Sequence, residues 1–155
     1  MSVMRNRFAP LSLAAAWMLA SAAWFPSQTG SVFVLWAQAP SSTKDGVYTP
    51  DQAKRGEALY AKNCASCHGT KLEGKNQAPP LASGEFAMNW NDQPLSDLFD
   101  KMQTSMPADK PGSLSAKENA DILALLLREN ALVAGTKELS ADPAELKQIK
   151  FLAGK

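Results

Sequence analysis

Histidine and cysteine are the residues in which this sequence is poorest: 155 residues include one histidine and two cysteines. A structural zinc site needs about four such ligands, so the chain cannot build one within itself. Neither sign of charge is in excess, because 16 basic side chains are balanced by 15 acidic ones. That balance gives no reason to expect nucleic acid as a partner.

A continuous apolar run long enough to cross a membrane is missing as well. Arg5 and Arg7 precede an apolar, alanine-rich segment at residues 11–25, which is interrupted at Pro26 and Gly30. The segment therefore stops well short of the roughly 20 residues that a spanning helix needs. Since Arg5 and Arg7 are not adjacent, no twin-arginine signal is present, which indicates export of the unfolded chain.

The tripeptide Ala37-Gln38-Ala39 has the small-x-small form of a signal-peptidase cleavage site. Together with the basic start and the apolar segment, it predicts that residues 1–39 are a signal peptide. The protein is then exported, and periplasmic in a bacterium. The alternative is that the N-terminus is retained and anchors the protein to a membrane.

Both cysteines and the only histidine lie in one pentapeptide, Cys64-Ala65-Ser66-Cys67-His68. This is the spacing of c-type haem attachment. Two thiols three residues apart can each add to a vinyl group on one edge of a porphyrin, and His68 is then held beneath the iron as its proximal ligand. The sequence therefore predicts one covalently bound haem c, attached through Cys64 and Cys67.

Two other uses of the pentapeptide fit less well. A disulfide between Cys64 and Cys67 would suit an exported protein, but it closes a very short loop and gives His68 no role. A thioredoxin-like redox pair belongs beside a βαβ unit, and the sequence has no strand-like alternation.

A second axial ligand from this chain cannot be histidine, so the three methionines beyond residue 39 are the candidates: Met88, Met102 and Met106. Met102 falls in the apolar stripe of a predicted amphipathic helix and is better explained as core. Met106 precedes Pro107, and a residue before proline is driven out of helical dihedrals. We therefore expect a loop that presents Met106 to the iron. Met88, which we also place in a loop, is its competitor.

Capping residues mark the beginnings of three further helices. Thr49 stands three residues before Gln52, and Ser115 three before Glu118, the spacing of a capping box. Asp142 precedes a proline in a similar, cap-like start. The helix after Ser115 is apolar on nearly every side at its centre, which predicts that it is buried.

Two features of the remaining chain fit a helical domain wrapped around a cofactor. Gly56 costs the first helix about 1 kcal/mol relative to alanine, so we expect another helix to cross closely over it. Residues 69–94 show no sustained periodicity, and we predict a loop that covers one face of the cofactor.

These motifs, in this order, resemble the mono-haem, low-spin c-type cytochromes of the cytochrome c superfamily over about residues 50–130. Ala78-Pro79-Pro80-Leu81 looks like the family's proline-containing segment, and Ser105-Met106-Pro107 like its distal methionine segment. The resemblance implies an all-α cytochrome c fold, with three to five helices around one haem.

The resemblance also implies roles for single residues around the haem. The carbonyl of Pro79 would accept a hydrogen bond from His68, Leu81 would pack on the haem face, and Trp90 would lie near a propionate. His68 and Met106 would be the two axial ligands of the iron.

Gly56 and Tyr60 match the family's helix-crossing pair on the first helix. The family usually places an aromatic opposite that glycine on the last helix, and this sequence has Leu125 there. We therefore expect the crossing with a smaller contact.

We predict a linker at residues 40–48, a cytochrome c domain at 49–133 and a C-terminal strap with a short helix at 134–155. A weaker similarity to small cytochromes associated with bacterial quinoprotein dehydrogenases rests on Pro111-Gly112, Leu114-Ser115, Asp121-Ile122-Leu123 and Ala134-Gly135.

The expected function is transfer of single electrons, not catalysis. The partners would be an electron-donating dehydrogenase and an accepting oxidase or cytochrome. One alternative is a cytochrome subunit anchored in a larger respiratory or dehydrogenase complex. The other is a haem sensor or enzyme whose distal methionine leaves the iron.

Overall fold

The computed structural model describes residues 39–82 and 84–154 of the chain. Apart from Ala39, the predicted signal peptide lies outside the described residues. None of the helices in these ranges is long and apolar enough to span a membrane.

Six α-helical segments and one 3-10 helix, Thr43–Asp45, make up the regular structure of the described residues. The α-helices are α1 (Pro50–Asn63), α2 (Ala65–His68), α3 (Gly84–Trp90), α4 (Leu95–Ser105), α5 (Ala116–Glu129) and α6 (Pro143–Leu146). These residues pair only in isolated β-bridges and form no strand, which confirms the all-α prediction. The helices outnumber the three to five expected because α2 and α6 are single turns of four residues each.

The predicted helix ends are largely confirmed. Ser115 and Glu118 form a reciprocal capping box at the start of α5. At the end of α4, Met106 has extended dihedrals, φ −123° and ψ 149°, as expected for a residue before proline. Asp142 accepts a hydrogen bond from the Ala144 amide at 2.8 Å and so caps α6.

The capping box predicted at α1 is only half formed. Thr49 accepts a hydrogen bond from the Gln52 amide at 3.2 Å, as expected. The Gln52 side chain, however, turns away from Thr49: its Nε2 donates to the Leu139 carbonyl at 3.0 Å and its Oε1 accepts from the Leu139 amide at 2.7 Å. A buried tertiary contact therefore replaces the local one.

The prediction of a loop throughout residues 69–94 is wrong for its second half, because α3 occupies residues 84–90. Met88 consequently lies in a helix and not in a loop. The helix has seven residues and buries only Phe86 among them, so it is too short for a 3.6-residue apolar period to be visible in the sequence.

The core is built where α1 crosses α5. A Cβ atom added at Gly56 would overlap the Asp121 carbonyl oxygen and lie 3.0 Å from the Leu125 Cβ. This confirms both the close crossing and the position of Leu125 opposite the glycine. Beside it, Arg55 donates two hydrogen bonds to the buried Asp121 carboxylate, at 2.8 and 3.0 Å. The centre of α5 is buried, as predicted.

Residues 134–154, the C-terminal strap, pack along the rest of the domain and bury the side chains of Leu139, Leu146, Ile149 and Phe151. The strap's backbone bonds to α4, where the Leu95 amide donates to the Ile149 carbonyl at 2.8 Å. Residues 40–48, predicted as a linker, bury Thr43 and Tyr48 and pair with the strap. The Thr43 amide, for example, donates to the Lys150 carbonyl at 2.9 Å.

Candidate functional site

The Cys64 to His68 pentapeptide lies at the junction of the first two helices. Cys64 ends α1 by donating its amide to the Tyr60 carbonyl at 2.9 Å, and its own carbonyl accepts from the His68 amide at 2.9 Å. One short turn therefore carries both thiols and the imidazole. The direction of α1, fixed by its crossing with α5, determines where this turn lies.

Neither thiol forms a disulfide; Cys64 is half-buried and Cys67 is exposed. Burial raises the pKa of the Cys64 thiol to about 11. Cysteines in redox-active pairs have lowered pKa values, because the thiolate is the reactive form. Cys64 therefore lacks the lowered pKa of the attacking cysteine in such a pair.

The His68 ring is buried, and its Nδ1 lies 2.9 Å from the Pro79 carbonyl oxygen. A carbonyl can only accept, so Nδ1 is the protonated nitrogen. The lone pair of the imidazole is then on Nε2, the atom left to bind a metal. Histidine ligands in metalloproteins commonly donate their other ring N–H in this way.

Tyr60 has a role that sequence reasoning missed. Its hydroxyl donates to the Gly69 carbonyl at 2.7 Å, directly after His68. Tyr60 was singled out only as part of the helix crossing, and nothing in its spacing indicated this bond. It ties the residue that follows the histidine back to α1.

The two apolar side chains predicted to line the haem are only half covered by protein. Leu81 and Trp90 are both half-buried and pack against the edge of the core. Trp90 is tilted against the buried Phe86, with ring centroids 6.4 Å apart. Such partly covered apolar surface is suited to a flat, apolar cofactor.

The three candidate methionines differ in burial. Met102 is 8% exposed and belongs to the core, as predicted, whereas Met88 is 75% exposed on α3. Met106 is half-buried on the loop that follows α4.

Hydrogen bonds between the described residues join His68 to Pro79, but none joins His68 to Met106 or Trp90. The structure thus brings together the proximal half of the predicted site, and leaves the placement of Met106 and Trp90 as a prediction.

The residues present fit a c-type haem. The turn offers two free thiols three residues apart and an imidazole whose Nε2 carries the lone pair. Within residues 39–82 and 84–154, no group of three or more His, Cys, Asp or Glu side chains could hold a metal ion by itself. The donor set therefore suits a porphyrin-bound iron and not a protein-only metal site.

The chain is similar to known proteins. Residues 51–126 match the family described as cytochrome c oxidase, cbb3-type, subunit III. The chain is similar to the cytochrome bc1 complex cytochrome c subunit of Corynebacterium diphtheriae, with 36% identity over 86 residues, 54% of this chain and 29% of that protein. The same subunit of Corynebacterium efficiens is 34% identical over 88 residues, 55% of this chain and 28% of that protein. The chain thus spans less than a third of the length of these two relatives.

Among solved structures, the chain resembles the sulfane dehydrogenase SoxCD from Paracoccus pantotrophus. The TM-score is 0.51 and the identity 29%, and the match covers 74% of this chain and 61% of that one.

Proposed function

We propose that this chain is a c-type cytochrome that carries single electrons between redox proteins, because residues 51–126 match a family of cytochrome oxidase subunits and contain the Cys64 to His68 pentapeptide. The observation that supports this best is the His68 Nδ1 to Pro79 carbonyl distance of 2.9 Å beside two free cysteines. When bound, haem c supplies an iron that changes between the ferrous and ferric states.

Each site residue has a proposed role in holding that group. Cys64 and Cys67 would attach the haem through thioether bonds, and His68 would bind the iron through Nε2. Met106 would be the second protein ligand of the iron, while Leu81 and Trp90 would cover apolar parts of the haem. An iron held by two protein ligands would exchange electrons without binding oxygen or substrate, and we propose no enzymatic activity.

The proposed partners are redox proteins outside the cytoplasm. We propose export through a signal peptide at residues 1–39 and an electron-donating dehydrogenase. A chain similar to this one occurs in a structure described as a sulfane dehydrogenase, which fits a cytochrome that works with a dehydrogenase. The proposed acceptor is an oxidase or another cytochrome.

A second candidate function is that of a cytochrome subunit held within a respiratory complex. Two relatives are described as subunits of the cytochrome bc1 complex, which favours this alternative. Fractionation of native cells decides between the two: a free carrier is expected in the soluble extract, whereas a subunit co-purifies with membrane proteins.

The test of haem attachment is expression of the full chain in a host that matures c-type cytochromes. The purified protein should be red and retain its haem under denaturing conditions, and a pyridine haemochrome assay should give one haem per chain. A Cys64→Ser, Cys67→Ser double variant is the control and should lose covalent haem. A colourless wild-type protein with both thiols free would rule the proposal out.

A further inference from the structure

The segment Ala78-Pro79-Pro80-Leu81, the proline segment, has few hydrogen bonds of its own. Pro79 and Pro80 have no amide N–H, so only Ala78 and Leu81 can donate from the backbone. Ala78 donates to the Lys75 carbonyl at 3.0 Å and accepts from the Lys75 amide at 3.2 Å, and Leu81 donates to the Leu72 carbonyl at 2.8 Å. The position of the Pro79 carbonyl between them depends on contacts from outside the segment.

One such contact comes from Gly74, which lies against the proline segment. A Cβ atom added at Gly74 would lie 2.8 Å from the Pro80 nitrogen and 3.0 Å from the Pro79 carbonyl carbon. The Gly74 amide donates to the His68 carbonyl at 2.8 Å. Gly74 therefore limits how far the Pro79 peptide can move toward the residues that follow His68.

A second contact comes from Asn130, the residue that ends α5. The side-chain Nδ2 of Asn130 donates to the Leu81 carbonyl at 2.9 Å and to the Leu126 carbonyl at 2.8 Å. Both N–H groups of the carboxamide are thereby used. The first bond spans 49 residues of sequence, and the second ties the amide to a helix whose centre is buried.

We propose that Asn130 is a positioning residue for His68. By fixing the Leu81 carbonyl to α5, it holds Pro79, two residues earlier, as the acceptor for the His68 Nδ1–H. This inference rests on the proposed function, because it gives Asn130 an effect on an iron ligand.

The expected consequence is electronic as well as structural. A histidine that donates its other ring N–H to a carbonyl is a more basic ligand. A more basic ligand favours the ferric state. Loosening the proline segment weakens this bond and should therefore raise the midpoint potential.

The test compares Asn130→Ala and Asn130→Asp with the wild-type holoprotein. Alanine removes the carboxamide, and an ionised aspartate keeps its shape but cannot donate. At a fixed ambient potential, each variant should raise the ferrous-to-ferric ratio about threefold, or about 28 mV for a one-electron couple. The His68 Nδ1–H should exchange with solvent faster by about tenfold, the factor expected for one lost hydrogen bond.

Two further variants separate positioning from general destabilisation. Gln52→Ala also removes a buried carboxamide that bonds to distant backbone, but its partner Leu139 lies in the strap. It should leave both the potential and the His68 N–H exchange unchanged. Asn130→Gln keeps the amide donors, so its midpoint potential should lie between that of the wild type and those of Asn130→Ala and Asn130→Asp.

The outcomes distinguish this inference from the proposed function. A wild-type chain without covalent haem would overturn the proposed function. A normal wild-type haem with unchanged potential and N–H exchange in both Asn130→Ala and Asn130→Asp would overturn the positioning role alone. If neither variant folds, hydrogen exchange of the Asn130 carboxamide in the wild-type protein is measured instead. Exchange as fast as that of the exposed Asn89 carboxamide would also overturn the positioning role.

Discussion

Met106 owes its proposed role to one neighbour, the proline that follows it. Without Pro107 the α4 helix could continue, and the thioether would lie along the helix as that of Met102 does. The extended dihedrals at Met106 instead end the helix and leave the side chain half-buried on a loop.

The first prediction concerns this thioether. Met106→Leu keeps the apolar volume but removes the sulfur, so the ferric protein should lose its weak red methionine–iron charge-transfer band. Because a thioether favours ferrous iron, the midpoint potential should also fall. Absorption spectra and redox titration measure both effects.

The controls are the two other methionines of the described chain. Met102→Leu is close to volume-conserving and should cost less than about 1.5 kcal/mol of stability while the band persists. Met88→Leu replaces an exposed side chain and should change neither the stability nor the charge-transfer band. If Met88→Leu abolished the band, Met88 would be the ligand.

Gly56 gives the second prediction at the residue scale. In Gly56→Ala the new methyl group meets the Asp121 carbonyl, part of the α5 backbone, which cannot move aside as a flexible side chain would. We expect a loss of about 1–3 kcal/mol in the free energy of unfolding. Chemical denaturation of the holoprotein measures it.

Gly84 provides a matched comparison for that variant. It is also helical, but nothing lies within 4 Å of a Cβ atom added there. Because Gly84 is the first residue of α3, Gly84→Ala should stabilise by less than the roughly 0.5–1 kcal/mol expected inside a helix. Equal effects at the two positions would contradict the close crossing of α1 and α5.

At the scale of elements, the capping box of α5 makes stability depend on pH. Hydrogen bonds from the Ser115 amide and hydroxyl to Glu118 hold the pKa of this carboxyl below its ordinary value of 4.5. A carboxyl with a lowered pKa in the folded state stabilises the fold above about pH 4.5 and stops doing so as the pH falls through the lowered pKa.

Glu118→Gln tests this third prediction, because glutamine keeps the cap but does not titrate. Near neutral pH the wild type should be the more stable of the two. The difference should shrink as the pH is lowered below 4.5. A difference that stays constant from pH 7 to pH 3 would show that the Glu118 charge has no part in it.

The helices with capping residues or a long apolar stripe could be predicted from the sequence, whereas α3 could not. A cap bonds backbone groups two or three residues away, so Ser115 and Asp142 mark the helix starts in the sequence itself. The Gln52 side chain shows the limit, since its partner Leu139 is 87 residues away and outcompetes the local cap. The same limit applies to Asn130, because its bond to Leu81 joins residues 49 positions apart and no sequence pattern predicts it.

The pentapeptide of the proposed site could be recognised in the sequence for a similar reason. Cys64, Cys67 and His68 are adjacent in sequence, so covalent geometry alone brings them together. The Pro79 contact required a family resemblance, because Pro79 lies eleven positions after His68 along a loop.

At the scale of the whole molecule, the C-terminal strap closes the domain against residues 40–52. Gln52 makes its two bonds to Leu139 within the strap, and just before the strap Tyr48 donates its hydroxyl to the Leu132 carbonyl at 2.6 Å. These polar groups are buried, so each needs its partner.

The fourth prediction is that Gln52→Ala opens the strap. It leaves the amide and carbonyl of the buried Leu139 without partners, which should cost about 2–3 kcal/mol in the free energy of unfolding. Limited proteolysis should then cut within residues 134–142 before the rest of the domain. Gln148→Ala, an exposed glutamine after α6, is the control and should behave as wild type. Unchanged protease resistance in Gln52→Ala would mean that the strap is held by its apolar side chains alone.

The pairing of Thr43 with Leu152 has a consequence for protein engineering. The Thr43 hydroxyl donates to the Leu152 carbonyl at 3.0 Å and accepts from the Leu152 amide at 2.9 Å. Since these two residues touch, a few glycines between residues 41 and 153 would join the polypeptide into a ring. New termini opened in the exposed turn at residues 109–113 would then give a circular permutant that keeps every contact of the core.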